Sequence, residues 1–289
     1  MHRFLLHNDE IHETGDHVLS PGQVGLMNGW GIFSTLRVQD GVLFAWERHW
    51  ARMKRDAARM RIPFPDDPKS LEESLYRLIE KNNAANSTLR VIIVRNRGGM
   101  WEGPSERVCD TIALTAPLKD WGDTVKLAMI PQARHAASEF AGTKYLSWSE
   151  NLTRYERVHE QGFDEAVLLN ERSEISECTS ANIFVVKGGE VSTPPLSAGC
   201  LPGVTRALLL EEIQVPGIEV REKTLLKADL EAADEIFITS STRDLMPVAS
   251  VEGLRIKAGR RVRDLMQQAF LAYTAEYVSA RVREVEKVR

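Results

Sequence analysis

Runs of apolar residues bounded by turn formers predict strands at residues 3–6 and over Gly31–Gln39, and Gly41 turns the chain into a second strand through Phe44. The period then changes. Trp46, Trp50, Met53, Ala57 and Met60 recur at three- and four-residue steps, the spacing of one helix face, and Ile62-Pro63 marks the helix end. Arg48, Arg52 and Arg55 are expected on its other faces. A helix over 70–81 and strands over 89–95 and 111–116 complete the first half. The segment from Pro117 to Asp123 is polar and carries a proline and a glycine, which suits a linker. The expected organisation is therefore a small N-terminal α/β domain over 1–116, a linker over 117–123 and a larger C-terminal domain over 124–289.

Past the linker, strands are predicted over 125–130 and Glu165–Asn170, with a helix over 149–161 between them. Asn182–Lys187 and Glu190–Thr193 form a hairpin, because Gly188-Gly189 supplies the positive φ that a tight turn needs. A helix over 205–212, a strand over 235–239 and a long helix over 260–281 follow. Strands and helices interleave in both halves, so the fold class is α/β, an α+β arrangement of mixed sheets with helices outside.

Composition narrows the classes of function. With 289 residues, 43% hydrophobic and 27% charged, the chain is long enough for two cores and too apolar for disorder. Lys and Arg total 37 against 41 Asp and Glu, a net charge of −4, and no basic stripe bears aromatics, so nucleic acid is not an expected partner. The start turns polar within nine residues and no apolar run reaches the ~18 residues of a membrane helix, so a cytoplasmic location is expected. Cys109, Cys178 and Cys200 lack paired spacing, suggesting neither disulfides nor a zinc site.

Four segments carry candidate chemistry. Gly142-Thr143-Lys144-Tyr145-Leu146-Ser147 places a lysine among small and apolar residues; desolvation would disfavour its charge and leave a nucleophilic amine. An isolated lysine of this kind is more often a surface side chain with its stem packed on apolar neighbours. In Glu174-Ile175-Ser176-Glu177-Cys178-Thr179-Ser180-Ala181-Asn182, Glu177 leads into an apolar strand, and a buried carboxylate there needs a cation or several donors; a solvated strand-end glutamate is the alternative. Leu201-Pro202-Gly203-Val204-Thr205-Arg206 joins a turn to a helix start, whose free N–H groups at Val204 and Thr205 suit a phosphate or simply water. Finally, Ser240-Ser241-Thr242 ends a strand in hydroxyls suited to phosphate or carboxylate oxygens, or to an ordinary polar loop.

In this order, the segments resemble the fold-type IV pyridoxal-phosphate enzymes: branched-chain aminotransferases, D-amino acid aminotransferases and aminodeoxychorismate lyases. The resemblance starts at Asn28-Gly29-Trp30-Gly31-Ile32-Phe33-Ser34-Thr35-Leu36-Arg37, continues through Arg48-His49-Trp50-Ala51-Arg52-Met53 and ends at Ser241-Thr242. It implies two domains with the cofactor, pyridoxal 5′-phosphate, in the cleft between them, and a homodimer. It further implies that Lys144 bears the cofactor covalently and moves the substrate proton, that Glu177 holds the pyridine nitrogen, and that Leu201 packs on the ring. Arg52, Gly203, Val204, Thr205 and Ser241 would surround the phosphate.

The substrate is less sharply marked. Phe33-Ser34-Thr35-Leu36-Arg37 is closer to the lyases, whereas Leu201-Pro202-Gly203-Val204-Thr205-Arg206 is transaminase-like, and Gly98-Gly99-Met100-Trp101-Glu102-Gly103 lacks the lyase pattern. The preferred expectation is an aminotransferase acting on a small apolar, branched-chain L-amino acid with a 2-oxo acid such as 2-oxoglutarate; a lyase and a D-amino acid aminotransferase are the alternatives. Arg90, Arg95 and Arg97 are candidates for a substrate carboxylate, since a guanidinium matches it with two parallel hydrogen bonds. Arg90 and Arg95 have opposite parity on one strand, so both face a site only across a bulge. Phe33, Met100 and Trp101 are candidates for an apolar side-chain pocket, and Thr35 and Thr242 for further substrate contacts.

Overall fold

The computed structural model describes residues 1–100 and 103–288. By contacts the chain divides into two compact units, one of Met1–Lys119, Thr143–Trp148 and Glu276–Arg289, the other of Asp120–Gly142 and Ser149–Ala275.

The first unit carries β1 (Phe4–His7), β2 (Glu10–Glu13), a short α1 (Val24–Asn28), β3 (Gly31–Gln39), β4 (Val42–Leu43), α2 (Trp46–Arg59), α3 (Pro68–Lys81), β5 (Ser87–Arg95) and β6 (Cys109–Ala116). Its six strands form an antiparallel sheet in the order β2-β1-β6-β5-β3-β4. Strand alternation gives that sheet two different faces. Ile32, Leu36 and Val38 of β3, with Leu89, Val91 and Ile93 of β5, pack in one core with Met53 and Ala57 of α2 and Leu71, Leu75, Leu78 and Ile79 of α3. The α3 residues lie at the spacing of one helix face, and the helix begins at Pro68 behind Asp67, whose carboxylate accepts from the N–H groups of Lys69 and Ser70. Phe33, Thr35 and Arg37, paired with Ile92, Arg90 and Thr88, project on the opposite face.

Helix α2 departs from the expectation at one position. Arg52, expected on an outer face, is only 8% exposed and sits among the buried residues Trp46, His49, Met53, Asp56 and Ala57. Apolar periodicity missed it because half of this buried stripe is polar, with His49, Arg52 and Asp56 at three- and four-residue steps.

The second unit carries β7 (Val125–Arg134), α4 (Ser149–Glu160), β8 (Glu165–Asn170), β9 (Ile175–Cys178), β10 (Asn182–Lys187), β11 (Glu190–Thr193), α5 (Val204–Glu211), β12 (Val220–Glu222), α6 (Lys227–Glu231), β13 (Glu235–Ser240) and β14 (Asp244–Val251); α7 (Arg261–Val288) begins in it. Its eight strands run in the order β12-β11-β10-β13-β14-β7-β8-β9, with parallel pairs at β11·β12, β14·β7 and β7·β8. This sheet is mixed, whereas the first is antiparallel throughout. The core strands β8 and β10 read as apolar runs because neighbours cover both of their faces. No helix among the described residues is long and apolar enough to cross a membrane.

Candidate active-site residues

Lys144 lies in the segment Thr143–Trp148 of the first unit. Beside the first residues of β3 this segment makes one antiparallel bridge, Ile32 to Tyr145, with Phe33 N–H donating to the Lys144 carbonyl at 3.0 Å and Leu146 N–H to Gly31 at 2.8 Å. The pairing sets Lys144 across from Phe33, on the sheet face away from the helices. Its Nζ stands 4.5 Å from the centre of the Phe33 ring and 5.8 Å from that of Trp148, whose two rings meet edge to face. Gly31 makes the approach possible, since a Cβ there would lie 2.4 Å from Leu146 Cδ1.

Arg90 reaches the same ring. Its guanidinium carbon is 4.1 Å from the Phe33 centre, it pairs across from Thr35, and its buried Nε has no hydrogen-bond partner among the described residues. Burial pushes the Arg90 pKa down. Arg95 lies on the opposite strand face, as an unbroken register requires. It stacks on Trp30 at 4.1 Å and donates to the carbonyls of Arg61 and Arg97 at 2.5 and 2.7 Å. Arg97 and Met100 are exposed, and Trp101 lies outside the described residues.

On the helix face of β3, Ser34 Oγ accepts from Arg52 Nη2 at 2.8 Å and stands 2.8 Å from His49 Nδ1, all three side chains being buried. Burial first, then the charges of Arg52 and Lys144, hold the His49 pKa well below its usual value. Burial lowers Arg52 to about 10, opposed by the charge of Asp56.

In the second unit Glu177 lies on β9, a buried four-residue strand paired with β8. One carboxylate oxygen accepts from Arg134 Nε at 2.9 Å and the other from the Leu201 N–H at 3.0 Å. Arg134 ends β7 beyond a register shift after Ile130, and its Nη1 also donates to Asn151 at 3.0 Å. The sequence signalled the need for a cation at Glu177 but not which residue meets it. Asn182 donates to the Leu201 carbonyl at 2.8 Å, and its Oδ1 would stand 2.0 Å from any Cβ on Gly203. A side chain at Gly203 would therefore have to displace that of Asn182. Gly203 opens α5, no side chain caps that helix, and Val204 and Thr205 of the first turn are buried.

Ser241 and Thr242, both half-buried, belong to the three-residue loop Ser241-Thr242-Arg243 between β13 and β14, which closes on Asp244 at φ 54. Arg243 anchors this loop: its Nη1 donates to Glu165 and to Ser180, each at 2.9 Å, and its guanidinium stacks 3.8 Å over Trp121. Nothing in the sequence distinguished Arg243 from a loop arginine. The structure thus gathers Lys144, Phe33 and Arg90 in one group, and Glu177, Leu201 and Gly203 in another.

Comparison with known proteins defines the class. The profile described as amino-transferase class IV matches residues 31–251, and the chain belongs to that family, whose members use pyridoxal 5′-phosphate. Within it, the chain is 30% identical to the branched-chain-amino-acid aminotransferase of Salmonella typhimurium over 90% of this chain and 88% of that one. It is 26% identical to the D-alanine aminotransferase of Bacillus licheniformis over 95% and 99%. The crystal structure of the branched-chain amino acid aminotransferase of Escherichia coli superposes with a TM-score of 0.85 at 26% identity, covering 95% of each chain.

The donor sets fit the family's cofactor. Glu177 is a mostly buried carboxylate held by two donors, the start of α5 offers N–H groups without a side-chain cap behind a glycine whose place a Cβ would contest with Asn182, and an amine stands over apolar rings.

Proposed function

We propose that this aminotransferase moves the amino group of a small apolar, branched-chain L-amino acid to a 2-oxo acid such as 2-oxoglutarate, working as a homodimer as the resemblance implies. The observation that carries the reading is the Lys144 amine beside Phe33, with the Arg90 guanidinium on the same ring. Lys144 Nζ would hold the cofactor through its aldehyde carbon and, when free, would serve as the base for the substrate α-proton. The rings of Phe33 and Trp148 exclude water on one side of that amine and offer an apolar surface to a branched side chain. Arg90, whose Nε has no partner among the described residues, pairs with a carboxylate of the oxo acid.

Pyridoxal phosphate, when bound, supplies an electron sink for the charge left by the departing proton. Glu177, kept in place by Arg134 and the Leu201 N–H, would hold its ring nitrogen protonated, and Leu201 would pack against the ring. The N–H groups of Val204 and Thr205, with Gly203, Ser241 and Arg52, would bind its phosphate, and Thr35 and Thr242 would contact substrate.

The lyase alternative leaned on Ser34-Thr35. Ser34 is spent on His49 and Arg52 on the helix face, which leaves only Thr35 on the face of Lys144. The test mixes the loaded protein with single amino acids and follows the cofactor absorbance. Conversion to the aminated cofactor by L-leucine, L-isoleucine and L-valine, and recovery with 2-oxoglutarate, is expected. Conversion by D-alanine alone, or pyruvate release from aminodeoxychorismate with no oxo acid added, would replace the reading with one of the alternatives.

A further inference from the structure

Asp56 is 1% exposed, lies one helical turn beyond Arg52 on α2, and has no part in the roles assigned above. A carboxylate withdrawn from water needs donors. One of its oxygens accepts from Arg55 Nε at 2.9 Å. The other accepts from the main-chain N–H of Lys144 itself, at 3.1 Å. The carbonyl of Lys144 accepts in turn from Phe33 N–H at 3.0 Å. The peptide groups on either side of the lysine Cα are thus tied to different elements, the helix before it and the strand after it.

We propose that Asp56 is a positioning residue for Lys144, clamping the backbone of the cofactor-bearing residue to the helix that carries Arg52. With both flanking peptides fixed, the Cα–Cβ bond of Lys144 has one direction, toward Phe33, and its distance from Arg52 is set by a single turn of α2. The inference rests on the reading of Lys144 as the attachment residue.

The test separates attachment from simple binding. Attachment joins Nζ to the aldehyde carbon with loss of water, and borohydride then reduces the new C=N bond to a stable amine. Pyridoxamine phosphate has the same ring and phosphate but no aldehyde, so it reports binding alone. In Asp56→Ala, the rate at which borohydride-trappable pyridoxal phosphate accumulates falls about tenfold or more, while pyridoxamine phosphate affinity changes less than about threefold. Asp56→Asn keeps a carbonyl able to accept the Lys144 N–H and stays within about threefold of the parent rate. Asp56→Ser, too short to bridge, repeats the alanine result should the alanine protein fail to fold.

An unchanged attachment rate in the alanine or serine variant overturns the proposal. So does an equal fall in attachment and in pyridoxamine phosphate affinity, which marks a merely structural role. Trapping of the parent protein at a residue other than Lys144 overturns the attachment reading instead, and peptide mass mapping tells these outcomes apart.

Discussion

The buried imidazole of His49 couples stability to pH. Its folded pKa lies well below the usual value, so between about pH 6.5 and that depressed value the unfolded chain binds a proton that the native protein refuses. Stability contributed by this group is complete above about pH 6.5 and is lost as pH falls, with a slope of up to about 1.4 kcal/mol per unit. His49→Gln should flatten that part of the curve in urea unfolding between pH 7.5 and 5.5; an unchanged slope would show that His49 takes up its proton without unfolding. The proposed role of Arg90 bears on a different property. Loss of a charge-assisted pair costs about 1.5–3 kcal/mol, so Arg90→Leu should raise the KM for 2-oxoglutarate roughly ten- to hundredfold and leave that for the apolar amino acid within about threefold. Equal rises for both substrates would remove Arg90 from acceptor recognition. At this scale the sequence offered Lys144 and Glu177 as candidates from their small and apolar neighbours, and Arg90 as one of three arginines suited to a carboxylate. His49, Asp56 and Arg134 were not legible. Their roles depend on partners distant in sequence: Ser34 for His49, Lys144 for Asp56 and Glu177 for Arg134.

Two local structures in the second unit hold the proposed phosphate-binding residues other than Arg52, and each depends on one tight constraint. At the start of α5, a Cβ on Gly203 would stand 2.0 Å from Asn182 Oδ1. Gly203→Ala must displace the Asn182 side chain and free the Leu201 carbonyl that it holds, at a cost of about 1–3 kcal/mol in stability and a comparable loss in cofactor affinity. Chemical denaturation and equilibrium binding of pyridoxamine phosphate measure both, and unaltered values would mean that Asn182 yields freely. The loop after β13 depends instead on the buried Arg243–Glu165 pair. Long periodic or uniformly apolar elements were readable: β3, β8 and the β10–β11 hairpin have the limits that alternation and the Gly188-Gly189 turn imply. Strand β14 was not, since Pro247 argues against a strand with neighbours on both sides. The sheet accommodates it because pairing with β7 begins only at Val248. Strand β9 was hidden by its length and polar sequence, Ile175-Ser176-Glu177-Cys178, and its burial comes wholly from tertiary neighbours.

At the scale of the whole molecule, the chain is a class IV aminotransferase built as two units, and the six residues Thr143–Trp148 return to the unit that the chain left at Lys119, as the residues from Glu276 onward do again. Local patterning does not reveal such a return; it follows from the bridge between Tyr145 and Ile32, 113 positions apart in the chain. Everything proposed about the chemistry turns on the amine delivered by that segment. Borohydride reduction of the protein loaded with pyridoxal phosphate, followed by trypsin digestion and mass analysis, tests it directly. The account predicts a phosphopyridoxyl group on the peptide spanning 135–154, with cleavage at Lys144 blocked. A label on any other lysine, or none under conditions where the cofactor is bound, would contradict it.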